Sequence, residues 1–199
     1  MITAILLAAG QSKRIPKENK LLKNFRGKIL INHILNQLIK SKIRRIVIVL
    51  GHEHSLVKKA IIKNKKIQFT LNKNYKSGIA SSIKTGIKKI NKFSKGFLIV
   101  QSDMPYIKKT HINKIYNSID KKDNPVHLLK YKNKFGNPIG FNSSVISKFK
   151  KIKGDVGAKY MVKRLKKDAA IIRVKSQKIF KDLDKLTDFW IRFKIYSKC

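Results

Sequence analysis

The segment Leu7-Ala8-Ala9-Gly10-Gln11-Ser12-Lys13-Arg14, followed at short range by Lys20, gathers the parts of a polyphosphate site. Ala8, Ala9 and Gly10 carry little or no side chain, so backbone N–H groups there can close on a phosphate. Ser12 adds a hydroxyl, and Arg14 and Lys20 add charges that do not titrate near neutrality. The glycine spacing is neither the dinucleotide fingerprint nor the Walker loop. Acids are scarce, ten Asp and Glu against 48 Lys and Arg, so each one is worth locating. Asp103 follows the apolar run 97–100, and Asp182, Asp184 and Asp188 fall close together. A carboxylate at a strand end facing a triphosphate loop can hold magnesium, which takes one or two carboxylates plus phosphate oxygens. Asp182 and Asp184 share a face if the chain is extended, and such a pair repels unless a cation lies between. Asp188 reads as a charge at a helix N-terminus.

The elements that must position these groups follow from periodicity. Residues 2–7 form a short apolar run without polar alternation, as in a strand buried on both faces, Arg45–Leu50 is a second, β-branched run, and Ile67–Leu71 and 97–100 read as third and fourth strands. Between them, Ile31, Ile34, Leu35 and Leu38, then Val57, Ala60 and Ile61, then Ile79, Ile83, Ile87 and Ile90 recur at helical spacing. Thr110 is placed to cap a helix carrying Ile112, Ile115, Tyr116 and Ile119. Strand and helix in alternation predict an α/β fold: a single doubly wound, mostly parallel sheet with helices on both faces, in one domain spanning residues 1–199. The second half predicts strands at Val126–Tyr131 and 138–141 around a Gly136-Asn137 turn, a helix over 155–165, a strand over 169–174 and a helix over 187–196. Ligands of such sheets bind outside the carboxyl ends of the strands, which directs attention to the loops after the first and fourth.

The segment LAAG-x-S-x-R with Lys20-Leu21-Leu22 resembles the signature of the MobA-like nucleotidyltransferases related to the molybdenum cofactor enzymes. Further motifs of that family match in order: Gly51-His52-Glu53, Asn72-x-x-Tyr75-x-x-Gly78-x-x-Ser81-Ser82, Ser102-Asp103-Met104-Pro105, Gly136-Asn137-Pro138, Gly154-Asp155-Val156-Gly157-Ala158, and Asp182-Leu183-Asp184 with Asp188. Within the group the chain is most similar to the molybdenum cofactor cytidylyltransferases. The resemblance implies a Rossmann-like nucleotidyltransferase fold. It implies nucleotide binding by Leu7, Ala8, Ala9, Gly10, Ser12, Gly78 and Ser82, and catalysis by Arg14, Lys20 and Asp103. It implies Mg2+ on Asp103, with Asp184 as second ligand or Asp182 in its place. Asp155 is implied beside the substrate together with Asp182; the alternative for Asp155 is a cap on the helix that follows it. The stretch Gly78-Ile79-Ala80-Ser81-Ser82 follows the cytidylyl pattern where guanylyl relatives carry a Gly-Pro-Leu-Ala-Gly type sequence. The implied substrates are CTP and a phosphorylated pterin, with a molybdoenzyme or its chaperone as a further partner. The chain departs from the family at Pro16, where a glycine is usual, and between Asp184 and Asp188, where Thr-Pro-Glu is usual.

Composition sets the outer bounds. One cysteine, Cys199, excludes a disulfide framework and a cysteine-based zinc site. Residues 1–10, MITAILLAAG, lack a basic leader before a short apolar run, so they read as a buried strand, and the protein as cytoplasmic with no membrane partner. The net charge of +38 would attract nucleic acid. Seven of the 48 cations are Arg, and the abundant Lys, Ile and Asn share A/T-rich codons. We therefore read the charge as gene composition and expect no specific nucleic-acid partner. A basic nucleic-acid-binding module is the rival from another class.

Overall fold

The run Ile2–Ala8 forms β1, the buried centre of a sheet whose two faces are both covered. The computed structural model describes residues 1–12, 15 and 18–189. In chain order the elements are β1, a small hairpin of β2 (Asn24–Phe25) and β3 (Lys28–Ile29), α1 (Leu30–Ile39), β4 (Arg45–Leu50), α2 (His54–Ala60), β5 (Ile67–Leu71), α3 (Ile79–Ile87), β6 (Gly96–Gln101) and α4 (Lys109–Lys121). There follow β7 (Val126–Tyr131), β8 (Lys134–Asn142), α5 (Ile146–Phe149), α6 (Ala158–Leu165) and β9 (Ala169–Arg173).

The described residues form a seven-stranded sheet in the order β5-β4-β1-β6-β8-β7-β9. β1 pairs in parallel with β4 and β6, and β4 with β5; β8 runs antiparallel to both β6 and β7. The sheet is thus mostly parallel, as the apolar runs predict. Alternate side chains of β1 feed two cores. Ala4, Leu6 and Ala8 pack with α1 and with Ile112, Ile115 and Ile119 of α4 on one face. Ile5, Leu7 and Ala9 pack with Ala80 and Ile83 of α3 and with α6 on the other. Since β4 lies on one side of β1 and β6 on the other, the strand order reverses at β1, and a crevice opens outside the carboxyl ends of β1 and β6.

Three local expectations are corrected. Thr110 is not the cap of α4, which begins at Lys109; Lys108 occupies the cap, and its N–H donates to Nδ1 of His111 (3.1 Å). The β7–β8 turn lies at Lys132-Asn133, with Lys132 at φ 48°, rather than at Gly136-Asn137. Gly136 pairs with Leu129 and Ile139 with Leu128, so Asn137 and Pro138 bulge from β8 between them. Proline has no N–H for the ladder, and a bulge is where a strand can hold one. The helix expected over 187–196 lies mostly outside the described residues, and its described start, Leu186–Asp188, is a single 3-10 turn.

Candidate active site

Leu7 and Gln101 are register partners at the ends of β1 and β6, and the chain leaves both strands into one cavity of about 430 Å³. Ser102, buried just past β6, donates its hydroxyl to the Leu7 carbonyl (2.7 Å) and ties the two exits together. Leu7, Ala9, Gly10 and Ser12 line the cavity, and so do Gly78, Ser82, Asp103, Asp155 and Asp184. Ala8 does not: it ends β1 with its side chain in the core beside Leu50, because neighbouring strand residues face opposite sides. Among the described residues nothing lies within 4 Å of where a Cβ on Gly10 would stand, so the backbone there is open to a ligand. Ser12 sits at φ 53°, and its Oγ accepts from the Lys20 N–H (3.2 Å), which pins the far end of the loop. Arg14 lies outside the described residues.

Lys20 opens a 3-10 turn, Lys20–Leu22, capped by Asn19, whose Oδ1 accepts from the Leu21 N–H (3.1 Å). That turn aims the Lys20 ammonium at two carboxylates, Asp103 Oδ2 at 2.6 Å and Asp184 Oδ1 at 2.7 Å. Asp103, Asp182 and Asp184 each offer an oxygen within 4.8 Å of the others. The backbone holds this grouping: the Leu183 N–H donates to the Asp103 carbonyl (3.1 Å), and the Leu183 side chain is fully buried. Buried Leu183 leaves its neighbours Asp182 and Asp184 directed away from the core. Asp182 is exposed and, unlike Asp103 and Asp184, does not line the cavity; Asp184 is half-buried. Asp188 is a brace: its Oδ2 accepts from the N–H groups of Asp184 and Lys185 (both 3.0 Å), and its Oδ1 meets Lys181 (3.0 Å).

The electrostatics follow from burial and pairing. Burial raises the Asp103 carboxyl above its ordinary value; Lys20 opposes the rise and Asp182 adds to it. Burial also works against the Lys20 charge, but Asp103, helped by Asp184, holds the ammonium above its ordinary value. Asp103 Oδ1 is buried without a hydrogen-bond partner among the described residues. An unmet buried carboxylate oxygen beside two further carboxylates suits a hard divalent cation, which takes oxygen ligands.

The opposite wall is the start of α3. Gly78 has φ 100°, and a Cβ there would meet the Gly154 carbonyl carbon at 2.3 Å. Only glycine fits that contact. It brings Asp155 beside α3, where its Oδ1 accepts from the Ile79 N–H (3.3 Å). Asp155 thus caps α3, across the cavity, and not the helix that follows it in sequence, whose cap is Gly157. Asn72 belongs to a motif but has no evident role in the sequence alone. The structure buries it at the end of β5, donating to Ser81 Oγ (2.8 Å) and Ser82 Oγ (3.0 Å). A polar residue closing an apolar strand was the available signal.

A doubly wound sheet with a small-residue loop, a lysine and a carboxylate cluster at its switch point defines a protein that handles nucleotides or other phosphates. The chain belongs to the MobA-like NTP transferase domain family, whose pattern matches residues 4–169. It is 27% identical over 154 residues to the bifunctional protein GlmU of Clostridioides difficile, a match covering 77% of this chain and 31% of that one. The chain thus spans about a third of the length of that relative. Its fold is that of Rv0371c from Mycobacterium tuberculosis H37Rv (TM-score 0.83, 20% identity, 94% and 95% of the two chains), a protein also crystallised with manganese (TM-score 0.73, 18% identity, 88% and 89%). It is also that of molybdopterin-guanine dinucleotide biosynthesis protein A from Archaeoglobus fulgidus (TM-score 0.69, 15% identity, 94% of each chain). Among the described residues no helix is long and apolar enough to cross a membrane.

Proposed function

We propose that the protein transfers CMP from CTP to the terminal phosphate of molybdenum-bearing molybdopterin, releasing pyrophosphate and forming a cytosine dinucleotide. The observation that carries this reading is the facing of two walls across one cavity: the loop of Ala9, Gly10 and Ser12 with Lys20, and the Gly78–Ser82 stretch of cytidylyl type. The loop backbone and Lys20 take the triphosphate, and Gly78 and Ser82 take the base. An acceptor phosphate oxygen attacks the α-phosphorus as the bond to the β-phosphate breaks, and the electron pair leaves with pyrophosphate. No covalent enzyme intermediate is required; the work is positioning and charge stabilisation. Arg14 and Lys20 balance the charge on the leaving pyrophosphate.

The carboxylates fit a divalent cation, Mg2+ or the manganese seen with the mycobacterial protein, held by Asp103 with Asp184 or Asp182. When bound, it would neutralise phosphate oxygens and make the α-phosphorus more electrophilic. Asp155 orders the α3 end of the cavity, beside the bound substrates. We further propose that the 199 residues act as one cytoplasmic domain whose product passes to a molybdoenzyme or its chaperone.

A second reading, transfer of GMP, is favoured by the Archaeoglobus protein, which is named for a guanine dinucleotide. One assay separates them: pyrophosphate release from each of the four ribonucleoside triphosphates, with and without molybdenum-loaded molybdopterin. Acceptor-dependent release with CTP alone supports the proposal, and release with GTP in its place refutes it.

A further inference from the structure

We propose that buried Asn72 fixes the hydrogen-bonding polarity of Ser82, so that this hydroxyl donates into the cavity and selects cytosine, with its acceptor N3, over uracil, with its N3–H. The inference rests on the reading of this cavity as the CTP site.

Asn72 is 3% exposed and Ser82 5%. The Asn72 side-chain oxygen accepts from the Asn74 backbone N–H (3.0 Å). A backbone amide can only donate, so the side-chain oxygen must face it and the NH2 group must face the serines. The NH2 then spends its two protons on Ser81 Oγ (2.8 Å) and Ser82 Oγ (3.0 Å). The Ser81 hydroxyl has its own acceptors, the carbonyls of Gly78 (2.8 Å) and Asn74 (2.9 Å). Ser82 differs. It accepts from Asn72, and no hydrogen bond among the described residues takes its proton, while its side chain lines the cavity.

A buried hydroxyl in that state is completed by a ligand that accepts. Cytosine and uracil present the same O2 and opposite polarity at N3. Donation from Ser82 to cytosine N3 satisfies both partners. Accepting from uracil N3–H leaves the Ser82 proton stranded in a buried position. Asn72 touches no substrate; it is a positioning residue acting through Ser82.

The test is the affinity of the full chain for CTP and for UTP, each with Mg2+, measured by calorimetry. The unaltered protein is expected to bind CTP at least tenfold more tightly than UTP. Asn72→Asp keeps an oxygen for the Asn74 N–H but replaces the donor with an acceptor. Ser82 then turns its proton to the carboxylate and offers lone pairs to the cavity, so the CTP:UTP ratio falls at least tenfold. Ser82→Ala leaves Asn72 bonded to Ser81 and brings the ratio near one; it decides the matter where Asn72→Asp does not fold. The triphosphate is common to both ligands, so a merely structural role weakens both alike. Equal losses for CTP and UTP in Asn72→Asp, or an unaltered ratio in Ser82→Ala, overturn the inference. Tighter binding of GTP than of CTP by the unaltered protein refutes the CTP reading itself.

Discussion

Lys20 carries two duties that mutation can separate. It neutralises the carboxylates of Asp103 and Asp184 at 2.6 and 2.7 Å, and the proposed reaction asks it to neutralise phosphate. In Lys20→Met the three carboxylates within 4.8 Å lose their internal cation. Like charges so placed repel, and breaking a partly buried pair leaves its carboxylate uncompensated. The unliganded variant is expected to lose roughly 2 kcal/mol, and Mg2+ or Mn2+ should restore much of it by taking the place of the ammonium. Thermal melts with and without metal decide; a variant as stable as the parent and blind to metal would remove the cluster from the argument. Asp103→Ala is the complementary change. It deletes the buried oxygen that lacks a partner among the described residues and should cut pyrophosphate release by on the order of a hundredfold or more, with the melting temperature little changed. Near-normal turnover would rule Asp103 out of the catalytic set.

Two glycines in the two walls make opposite predictions at the scale of elements. Gly78 is held at φ 100° against the backbone of Gly154, so Gly78→Ala must push apart the 154–155 loop and the start of α3. The expected cost is about 2–3 kcal/mol, together with loss of the Asp155 cap. Gly10→Ala meets nothing within 4 Å among the described residues, so stability should stay within about 0.5 kcal/mol of the parent. The added methyl stands where a phosphate would approach, and CTP affinity should fall about tenfold or more, as expected where direct backbone contact is blocked. Equilibrium unfolding and a binding titration on both variants test the pair, and unimpaired CTP binding by Gly10→Ala would remove the loop from the phosphate site. The same contrast explains what the sequence could disclose. Apolar runs announced β1, β4 and β6 because strands covered on both faces carry little else, whereas β5, a half-exposed edge strand, mixes Gln68 and Thr70 with its apolar residues; the loop after β1 was legible because its small residues stand together. The β7–β8 turn was misread because Gly136-Asn137 is turn chemistry used in a bulge, a choice set by Pro138 and by pairing with both neighbours. The capping alternative for Asp155 pointed to the helix next in sequence, whereas its carboxylate meets Ile79 of α3, 76 positions away. Local patterns carry no record of such meetings.

Over the whole molecule, two kinds of titration or screening bear on stability. His127 is fully buried on β7, with Nδ1 2.8 Å from the Ser118 hydroxyl of α4, and burial pulls its pKa down to about 4. The unfolded chain binds that proton near pH 6.5, so the neutral imidazole supports folding fully above 6.5. That support drains as pH falls from 6.5 toward 4, by up to about 3 kcal/mol. Urea midpoints of the parent and of His127→Gln across this range isolate the effect; parallel curves would refute it. The net charge of +38 acts at all these pH values. If every acid found a cation, 48 − 10 = 38 cations would still stand without one. Their mutual repulsion reaches over a Debye length of about 10 Å at 0.1 M salt and shrinks as salt rises. The melting temperature should therefore climb with ionic strength from about 10 to 300 mM, a range over which that length falls several-fold. Duplex DNA should bind at low salt without regard to sequence and lose affinity by orders of magnitude over the same series, because counterion release is the driving term. Pyrophosphate release from CTP should fall far less, since in the proposed site backbone donors, Lys20 and a metal would hold the triphosphate at short range. Labelled DNA titrated beside the turnover assay tests both at once. Tight, sequence-selective binding that persists at physiological salt would make the basic surface a function in its own right and defeat its reading as gene composition.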